Sequence, residues 1–385
     1  MNAIILLLTL AGFTVVAVMR VLDPLLPVVA AEFGVTVGAT AVIVAAFALP
    51  YGLCQLVYGP LGDRVGKLRV ITSTLLLTAV FIFLSGFAHS VAQLAVLRFL
   101  TAITCAATVP LTMAFIADGV DYNSRQGAIG RYMGGIILGQ IMGAGIGAIL
   151  VDLIGWRAIF WCFGVMNGLV AMTLKWGAKN FTLPTPTQVS LRTSLGRYVE
   201  IARDPKARDV LTAAFIEGFY LFAGVIFIGP MLHQRHGLSM VMVGVFLIFL
   251  GLGSLLYSLI VRWLVHTLGQ WVMVQVGGAF MALAFIILGI AKIWWLCAPV
   301  LVMLGFGIYL MHNTLQTLAT ELAPGARGTA VSLFAFVIFV GQGLGALLFG
   351  WLIDYAGYAL AFEVNGVALG LLGLWLRGSR SLAAH

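Results

Sequence analysis

Residues 59–70 read GPLGDRVGKLRV, a charged turn between two long apolar runs. The run before it, residues 37–58, and the run after it, residues 70–87, each come close to the roughly 20 residues that cross a hydrocarbon core. Three glycines and a proline allow the chain to reverse, and three cations favour the headgroup layer. The stretch is therefore expected to be a short loop at a membrane surface.

The composition also places the chain in a membrane. Hydrophobic residues make up 62% and charged residues 9% of its 385 residues, which is too little charge for a water-facing surface. The net charge of +8 is interpreted through membrane topology, and no nucleic-acid partner is expected. The four cysteines show no metal-type spacing, so neither a metal nor a cofactor is predicted.

Hydropathy predicts twelve membrane spans, numbered 1 to 12 in chain order. They lie near residues 3–30, 37–58, 70–88, 91–117, 127–152, 156–174, 210–231, 238–264, 270–290, 293–318, 328–352 and 358–376. With Met1 on the cytoplasmic side, most of the 21 Lys and Arg residues fall in cytoplasmic connections. This agrees with the positive-inside rule and predicts that both termini are cytoplasmic.

The chain contains an internal repeat at an offset of 202 residues. Its clearest members are Arg125, Gly139, Gln140, Gly143, Asp152 and Gly155, which recur as Arg327, Gly341, Gln342, Gly345, Asp354 and Gly357. The repeat predicts two six-helix bundles, residues 1–174 and 210–385, joined by a polar linker, residues 175–209. Within the linker an amphipathic helix is expected from the helical spacing of Leu191, Leu195, Tyr198 and Ala202.

The charged turn resembles the signature loop between helices 2 and 3 of the major facilitator superfamily. The matching residues are Gly59, Leu61, Gly62, Asp63, Arg64, Gly66 and Lys67. The resemblance implies an all-α polytopic membrane protein with twelve transmembrane helices in two pseudo-symmetric six-helix bundles, which rock about a central cavity. It also implies that Asp63 lies against the start of helix 11, that Lys67 reaches Asp118, and that this set closes the cytoplasmic gate.

Span 5 carries small residues at the spacing of the family's antiporter signature. The matching positions are Gly130, Gly139, Gly143 and Gly147, whereas Ala144 stands where the signature has proline. Glycines on one face let helices approach closely. The resemblance implies a tight seam against the other half, typical of exporters, and ordinary small-residue packing is the alternative.

Three charged residues within spans are predicted to couple transport to protons, and they are Asp23, Arg98 and Glu217. An unpaired charge in a span costs at least ~2.5 kcal/mol, so each should face the interior of the bundle. Protonation removes most of that cost for a buried carboxyl group, which makes Glu217 a candidate proton carrier. Asp23, four residues before Pro27, resembles the protonatable acid of some multidrug:proton antiporters, and its alternative role is neutralisation by Arg20 three residues earlier. Arg98 resembles the arginine of the family's helix 4 motif, and its alternative role is structural hydrogen bonding, as it is for Glu217.

Several polar residues in spans 1, 5, 10 and 11 are predicted to line the substrate cavity. They are Arg20, Gln140, His312, Asn313, Gln316 and Gln342. In the superfamily, helices 1, 4, 7 and 10 line the cavity, and the polar end of span 10 is unsuited to lipid. Hydrogen bonding between helices is the alternative role for the amides and the histidine.

These features together predict a secondary active transporter of the bacterial inner membrane. The expected activity is export of a small, lipophilic or weakly polar solute in exchange for protons, by a monomer surrounded by membrane lipid. A proton symporter for uptake is the alternative on the same fold, and a membrane sensor without transport is the alternative from another class. The chain contains no HExxH, Gly-x-Ser-x-Gly or phosphate-loop motif, so no enzymatic activity is predicted.

Overall fold

The computed structural model describes residues 2–120, 122–178, 191–323 and 326–378, which are almost entirely helical and include no β-strand. Up to residue 178 the helices are Asn2–Val21, the 3-10 turn Asp23–Leu25, Leu26–Phe33, the 3-10 turn Gly38–Thr40, Ala41–Val65, Lys67–Ser85, Val91–Cys105, Thr108–Gly119 and Tyr122–Ala178. After it they are Leu191–Arg203, Pro205–Ile216, the π-helical turn Glu217–Phe222, Ala223–Ile226, Ile228–His236, Met240–Ile290, the 3-10 turn Trp294–Leu296, Cys297–Glu321 and Arg327–Gly378.

Nine helical stretches among the described residues are long and apolar enough to cross a membrane. Three of them are about twice the length of one crossing. These are Ser124–Gly177, Met240–Ile290 and Arg327–Gly378, with 54, 51 and 52 residues. Each is interrupted by one glycine with a positive φ, which is Gly155, Gly269 or Gly357, respectively. The span numbers used above are kept for the two arms that meet at each glycine.

The two arms of such a stretch run in opposite directions. Gly147, before the bend at Gly155, lies against Val21 late in span 1, whereas Gly177, after the bend, lies near Leu7 at its beginning. Glycine permits this reversal because it adopts positive φ without the steric cost that a Cβ atom imposes. Counting each arm as one crossing gives twelve crossings among the described residues. The side of the molecule on which Leu7 lies is called inner below, and the opposite side outer.

The internal repeat is visible in the backbone conformation. The positive-φ glycines of the described residues form three pairs whose members are 202 or 203 residues apart. The pairs are Gly34 with Gly237, Gly66 with Gly269, and Gly155 with Gly357. Packing repeats as well, since Gly139 lies against Phe13 and, 202 residues later, Gly341 lies against Phe215. The two copies therefore share both their turns and the contacts of equivalent helices.

The charged turn of residues 59–70 is less of a loop than the sequence suggests. The helix Ala41–Val65 continues through Pro60, and the next helix begins at Lys67. Gly66 alone separates them, with a φ of 101°. One residue suffices because a glycine at positive φ reverses the chain within a single position.

Some large apolar side chains lie in the interior of the bundle, and others lie on its exposed surface. Phe227 and Phe285 are fully buried, whereas Leu153 and Leu259 are 74% and 79% exposed. Exposed apolar side chains on spans of this length are suited to contact with lipid chains. The exposed surface thus agrees with a multi-pass membrane protein, and the helices confirm the predicted all-α fold.

The linker is described only in part, because residues 179–190 lie outside the described residues. Its helix Leu191–Arg203 packs on the bundle through Tyr198, whose hydroxyl donates to the Leu56 carbonyl oxygen at 3.3 Å. Ile201 is buried with it, and Ala202 is exposed. The apolar face of this helix therefore includes Ile201, whereas the spacing favoured Ala202. Burial of the Tyr198 hydroxyl raises its pKa.

Candidate functional site

A cavity lies between spans 1, 5, 7, 8 and 10. Its wall is mostly apolar, with side chains such as Ile141 and Leu250. The polar side chains in the wall are Arg20, Asp23, Gln140, Ser254 and Tyr309. An apolar cleft with a few convergent polar groups is the usual form of a small-molecule site.

Arg20 and Asp23 form an ion pair in the wall of this cavity. The Arg20 Nη1 atom lies 3.5 Å from an Asp23 carboxylate oxygen, and the two residues are only 7% and 9% exposed. The pair stands where span 1 is interrupted, because Pro24 starts the 3-10 turn Asp23–Leu25 and lacks a backbone N–H. The Nε–H group of Arg20 is buried without a hydrogen-bond partner among the described residues. This loose pair leaves both charged groups able to respond to a solute or a proton.

Arg98 lies behind the same break in span 1. Its guanidinium donates to the carbonyl oxygens of Val18 at 3.0 Å and Met19 at 3.4 Å, and it stacks on the Phe47 ring at 4.2 Å. These contacts join spans 1, 2 and 4 within the first half. They are the contacts of the structural alternative considered above, and Arg98 holds the segment that carries Asp23.

Glu217 is fully buried in span 7 and contacts span 10. One carboxylate oxygen lies 3.1 Å from His312 Nδ1, and the other has no hydrogen-bond partner in the described part of the chain. Glu217 begins a π-helical turn, Glu217–Phe222, and such turns are frequent at functional sites. A proton can therefore lie between the Glu217 carboxylate and the His312 imidazole.

Phe222 lies between the Arg20 and Asp23 pair of the first half and the Glu217 and His312 pair of the second half. Its ring lies 5.8 Å from the Arg20 guanidinium and 5.4 Å, edge to face, from the His312 ring. It also forms part of the cavity wall. The Arg20 and Asp23 pair and the Glu217 and His312 pair are therefore separated by a single aromatic side chain.

The predicted cavity residues are only partly gathered there. Arg20 and Gln140 line the cavity, and the wall does not include the other four, His312, Asn313, Gln316 and Gln342. His312 stands behind Phe222, and Gln342 is buried, at 5% exposure. A place in the cavity stays a prediction for these four residues, because the spacing of polar residues does not define which face of span 10 or span 11 meets the cavity.

Two polar residues of the wall were missed by the sequence reasoning. Ser254 and Tyr309 line the cavity on spans 8 and 10. The signal was present at Ser254, which is a hydroxyl within the long apolar run Met240–Ile290. Tyr309 gave none, because tyrosine is equally common on surfaces that face lipid headgroups.

The residues of the charged turn form an ion network at the inner side. Lys67 Nζ lies 2.6 Å from Asp63 and 2.9 Å from Asp118. Gly62 lies against Leu111, while Gly59 and Gly66 have open space where a Cβ would be. The chain thus brings Lys67 to Asp118, as the resemblance implies.

Asp63 is not brought to the start of span 11 in this structure. Its ion pair is with Lys67, and no hydrogen bond or ion pair joins it to Arg327 within the residues described. The ion pairs of Lys67 with Asp63 and Asp118 therefore join the helices Ala41–Val65, Lys67–Ser85 and Thr108–Gly119 of the first half. The expected contact of Asp63 with the start of span 11 stays a prediction.

The glycines of span 5 pack against a neighbour other than the one predicted. A Cβ atom at Gly139 or Gly143 would lie 2.5 Å from the carbonyl oxygen of Phe13 or Ala17, both in span 1. Gly147 likewise faces Val21, and Gly130 has nothing within 4 Å. Gly139, Gly143 and Gly147 hence pack within the first half and do not form the expected seam with the other half in this structure, whereas Gly130 is exposed.

The contact of span 5 with the other half uses Gly145 instead. A Cβ atom at Gly244 in span 8 would lie 2.5 Å from the Gly145 carbonyl oxygen. On the same outer side, Gly229 of span 7 lies against Pro24 of span 1. The outer ends of the two halves are thus in contact above the cavity.

The fold defines a class of protein, a multi-pass membrane protein whose helices enclose a cavity between the two halves. A sequence profile described as Major Facilitator Superfamily matches residues 8–346. The chain belongs to this superfamily. Its members are transporters that act on small-molecule substrates and not enzymes.

Known proteins similar to this chain agree with that assignment. A protein of Bacillus subtilis (strain 168), the uncharacterized MFS-type transporter YceJ, is 27% identical over 344 residues, which is 86% of this chain and 84% of the relative. Among solved structures, a bacterial homologue of the human lysosomal transporter Spinster in an inward-facing, occupied conformation has a TM-score of 0.76 and 18% identity, covering 98% of this chain and 95% of that one. A D-xylose-proton symporter has a TM-score of 0.75 and 17% identity, covering 97% of each chain. These structures support the fold.

Proposed function

We propose that this transporter exports a small, lipophilic or weakly polar solute in exchange for protons. It acts by alternating access as a monomer in the bacterial inner membrane, in contact with membrane lipid, with both termini in the cytoplasm. Residues 1–174 and 210–385 rock as two units, and the linker of residues 175–209 joins them.

The nature of the cavity wall supports the proposed class of solute. Apolar side chains make up most of it, and its one cation and one anion, Arg20 and Asp23, face each other. A highly charged solute would find no excess of opposite charge there, whereas an apolar body gains by leaving water. The amide of Gln140 and the hydroxyls of Ser254 and Tyr309 offer hydrogen bonds to a weakly polar group.

The observation that carries the proposal is the position of Asp23 in this wall. A carboxylate that belongs to the solute site makes solute binding and proton binding compete, which is the requirement for exchange. Glu217 is the second proton acceptor. It is buried beside His312, and the Phe222 ring stands between it and the cavity. In the proposed cycle, one of the two acids takes a proton from the outside as the solute leaves and gives it up inside before the next solute binds.

The test uses everted membrane vesicles whose lumen is acidified by respiration. Ethidium, norfloxacin and chloramphenicol serve as a lipophilic cation, a zwitterion and a neutral probe, selected first by thermal shift on the purified protein. We expect at least one probe to accumulate in an acidified lumen and to release protons as it enters. Replacing both acids, Asp23→Asn with Glu217→Gln, should abolish accumulation.

Asp152→Asn is the matched control, because it removes a carboxylate that is exposed on span 5 away from the cavity wall. It should leave accumulation unchanged. Accumulation that survives in the double variant would refute the proposed proton sites. Probe movement only with the opposite gradient would establish uptake with protons, and binding without any flux would establish a sensor.

A further inference from the structure

Asp354 joins the outer ends of the two halves. It lies in span 11, and its carboxylate accepts a hydrogen bond from Thr36 Oγ1 at 2.5 Å and another from the Gly38 backbone N–H at 3.0 Å. Both donors lie at the beginning of span 2, Gly38 in the 3-10 turn Gly38–Thr40 and Thr36 just before it, and Thr36 Oγ1 also accepts from the Ala39 N–H at 3.2 Å. An anion at the first turn of a helix is favoured by the free N–H groups and by the helix dipole. Here the anion comes from the other half of the chain.

The close approach of two glycines places the carboxylate there. A Cβ atom at Gly350 would lie 2.6 Å from the Gly38 carbonyl oxygen, and a Cβ atom at Gly38 would collide with the Gly350 carbonyl oxygen and with Asp354. Spans 2 and 11 thus meet backbone to backbone at this end. Because this contact is so close, the short side chain of Asp354 reaches the start of span 2.

The repeat-related seam lacks this bond. Asp152 is the counterpart of Asp354, and Ser239 that of Thr36, at offsets of 202 and 203 residues. Ser239 Oγ accepts from the Met242 N–H of its own helix at 3.3 Å, and within the described ranges no hydrogen bond or ion pair joins Asp152 to span 8. The bond of Asp354 is therefore a feature of one seam and does not follow from the repeat.

We propose that Asp354 is an outer latch, which holds the outer side of the cavity closed by binding Thr36 and Gly38 and releases them when that side opens. It joins spans 2 and 11 at their outer ends, whereas at the inner end Asp63 forms its ion pair with Lys67 of its own half. The inference rests on the alternating-access part of the proposed function and not on the solute or on protons. A role as a simple helix cap predicts a loss of stability without a change in which side is open.

The latch is tested by labelling the cavity from outside. Val225, in the cavity wall, is replaced by cysteine in a background without the four native cysteines, and the membrane-impermeant reagent MTSET is applied to right-side-out vesicles without gradient or solute. Asp354→Ala should raise the labelling rate about fivefold, since two hydrogen bonds of an exposed carboxylate are lost and the outward-open fraction rises accordingly. Thr36→Val, which removes one of them, should raise it by a smaller factor.

Asp152→Ala is the control and should leave the labelling rate unchanged. Equal rates in the parent, Asp354→Ala and Thr36→Val would overturn the latch, and so would an equal increase in Asp152→Ala. Absence of labelling from outside in every variant would instead refute alternating access itself. Thermal denaturation in detergent identifies variants that fail to fold.

A second measurement holds the latch closed. The variant for this measurement combines Val225→Cys with the pair Thr36→Cys and Asp354→Cys. Oxidation of the pair to a disulfide in the membrane should suppress labelling of position 225 from outside. Reduction of the disulfide should restore the labelling rate at position 225 to that of Asp354→Ala. Labelling that is unaffected by oxidation of a pair shown to be cross-linked would contradict the proposal.

Discussion

Adding one methyl group to a glycine should lower stability at one contact of span 5 and change which side of the cavity is open at another. At Gly143 the new Cβ would lie 2.5 Å from the Ala17 carbonyl oxygen, and at Gly244 it would lie 2.5 Å from the Gly145 carbonyl oxygen. Both contacts are about 1 Å too short for carbon, and overpacking of this kind costs about 1–3 kcal/mol. In Gly143→Ala the strain stays within one half, so the protein is destabilised. In Gly244→Ala the strain lies between the halves and is relieved when their outer ends separate.

Two assays distinguish these outcomes. Thermal denaturation in detergent should show a lower midpoint for Gly143→Ala than for Gly244→Ala. Outside labelling of Val225→Cys should rise for Gly244→Ala by about tenfold, since 1.4 kcal/mol corresponds to a factor of ten in an equilibrium, and should be unchanged for Gly143→Ala. Gly130→Ala is the control, because nothing lies within 4 Å of that position. The reasoning is refuted if both variants lose the same stability and neither changes labelling.

Three further outcomes are expected from contacts elsewhere. Gly155→Ala should lower the yield of monodisperse protein in size-exclusion chromatography, because its φ of 75° costs a residue with a Cβ about 1–2 kcal/mol, and an equal yield would contradict this. Lys67→Gln leaves two carboxylates facing each other without their cation, so the thermal midpoint should fall modestly, by the equivalent of about 1 kcal/mol or less given their exposure. Lys67→Arg should restore it, and a fall equal to that of Lys67→Gln would count against the ion network. Arg98→Lys should lower the midpoint nearly as much as Arg98→Gln, because an ammonium group cannot reproduce two carbonyl contacts together with stacking on a ring, and full stability of the lysine variant would show that charge alone matters.

Much of the fold could be predicted from the sequence. The apolar stretches and the chain reversal within residues 59–70 are local properties, since they depend on hydropathy and on glycine. The repeat is visible because the same residues recur in order 202 positions later. The ion pair of Arg20 and Asp23 was within reach for the same reason, because the two residues are close in the chain. The association of Lys67 with Asp118 came from resemblance to a family motif and not from spacing.

The membership of the cavity wall could not be predicted in the same way. His312 is polar and lies on span 10, yet Phe222 stands between it and the cavity. Tyr309, one turn earlier, lines the wall. Which of two residues on one helix meets the cavity depends on the rotation of that helix against several neighbours, and no local pattern fixes that rotation.

The sequence by itself determined that the chain spans a membrane repeatedly and folds as two related sets of helices, because lipid requires apolar stretches of fixed length and glycine marks where they turn. Only the tertiary structure decided which surfaces meet. Gly139, Gly143 and Gly147 of span 5 pack against span 1 of their own half, and Asp354 reaches a backbone N–H 316 residues away. Contacts of this kind depend on how all the spans pack together, which is a property of the whole bundle and not of any stretch within it.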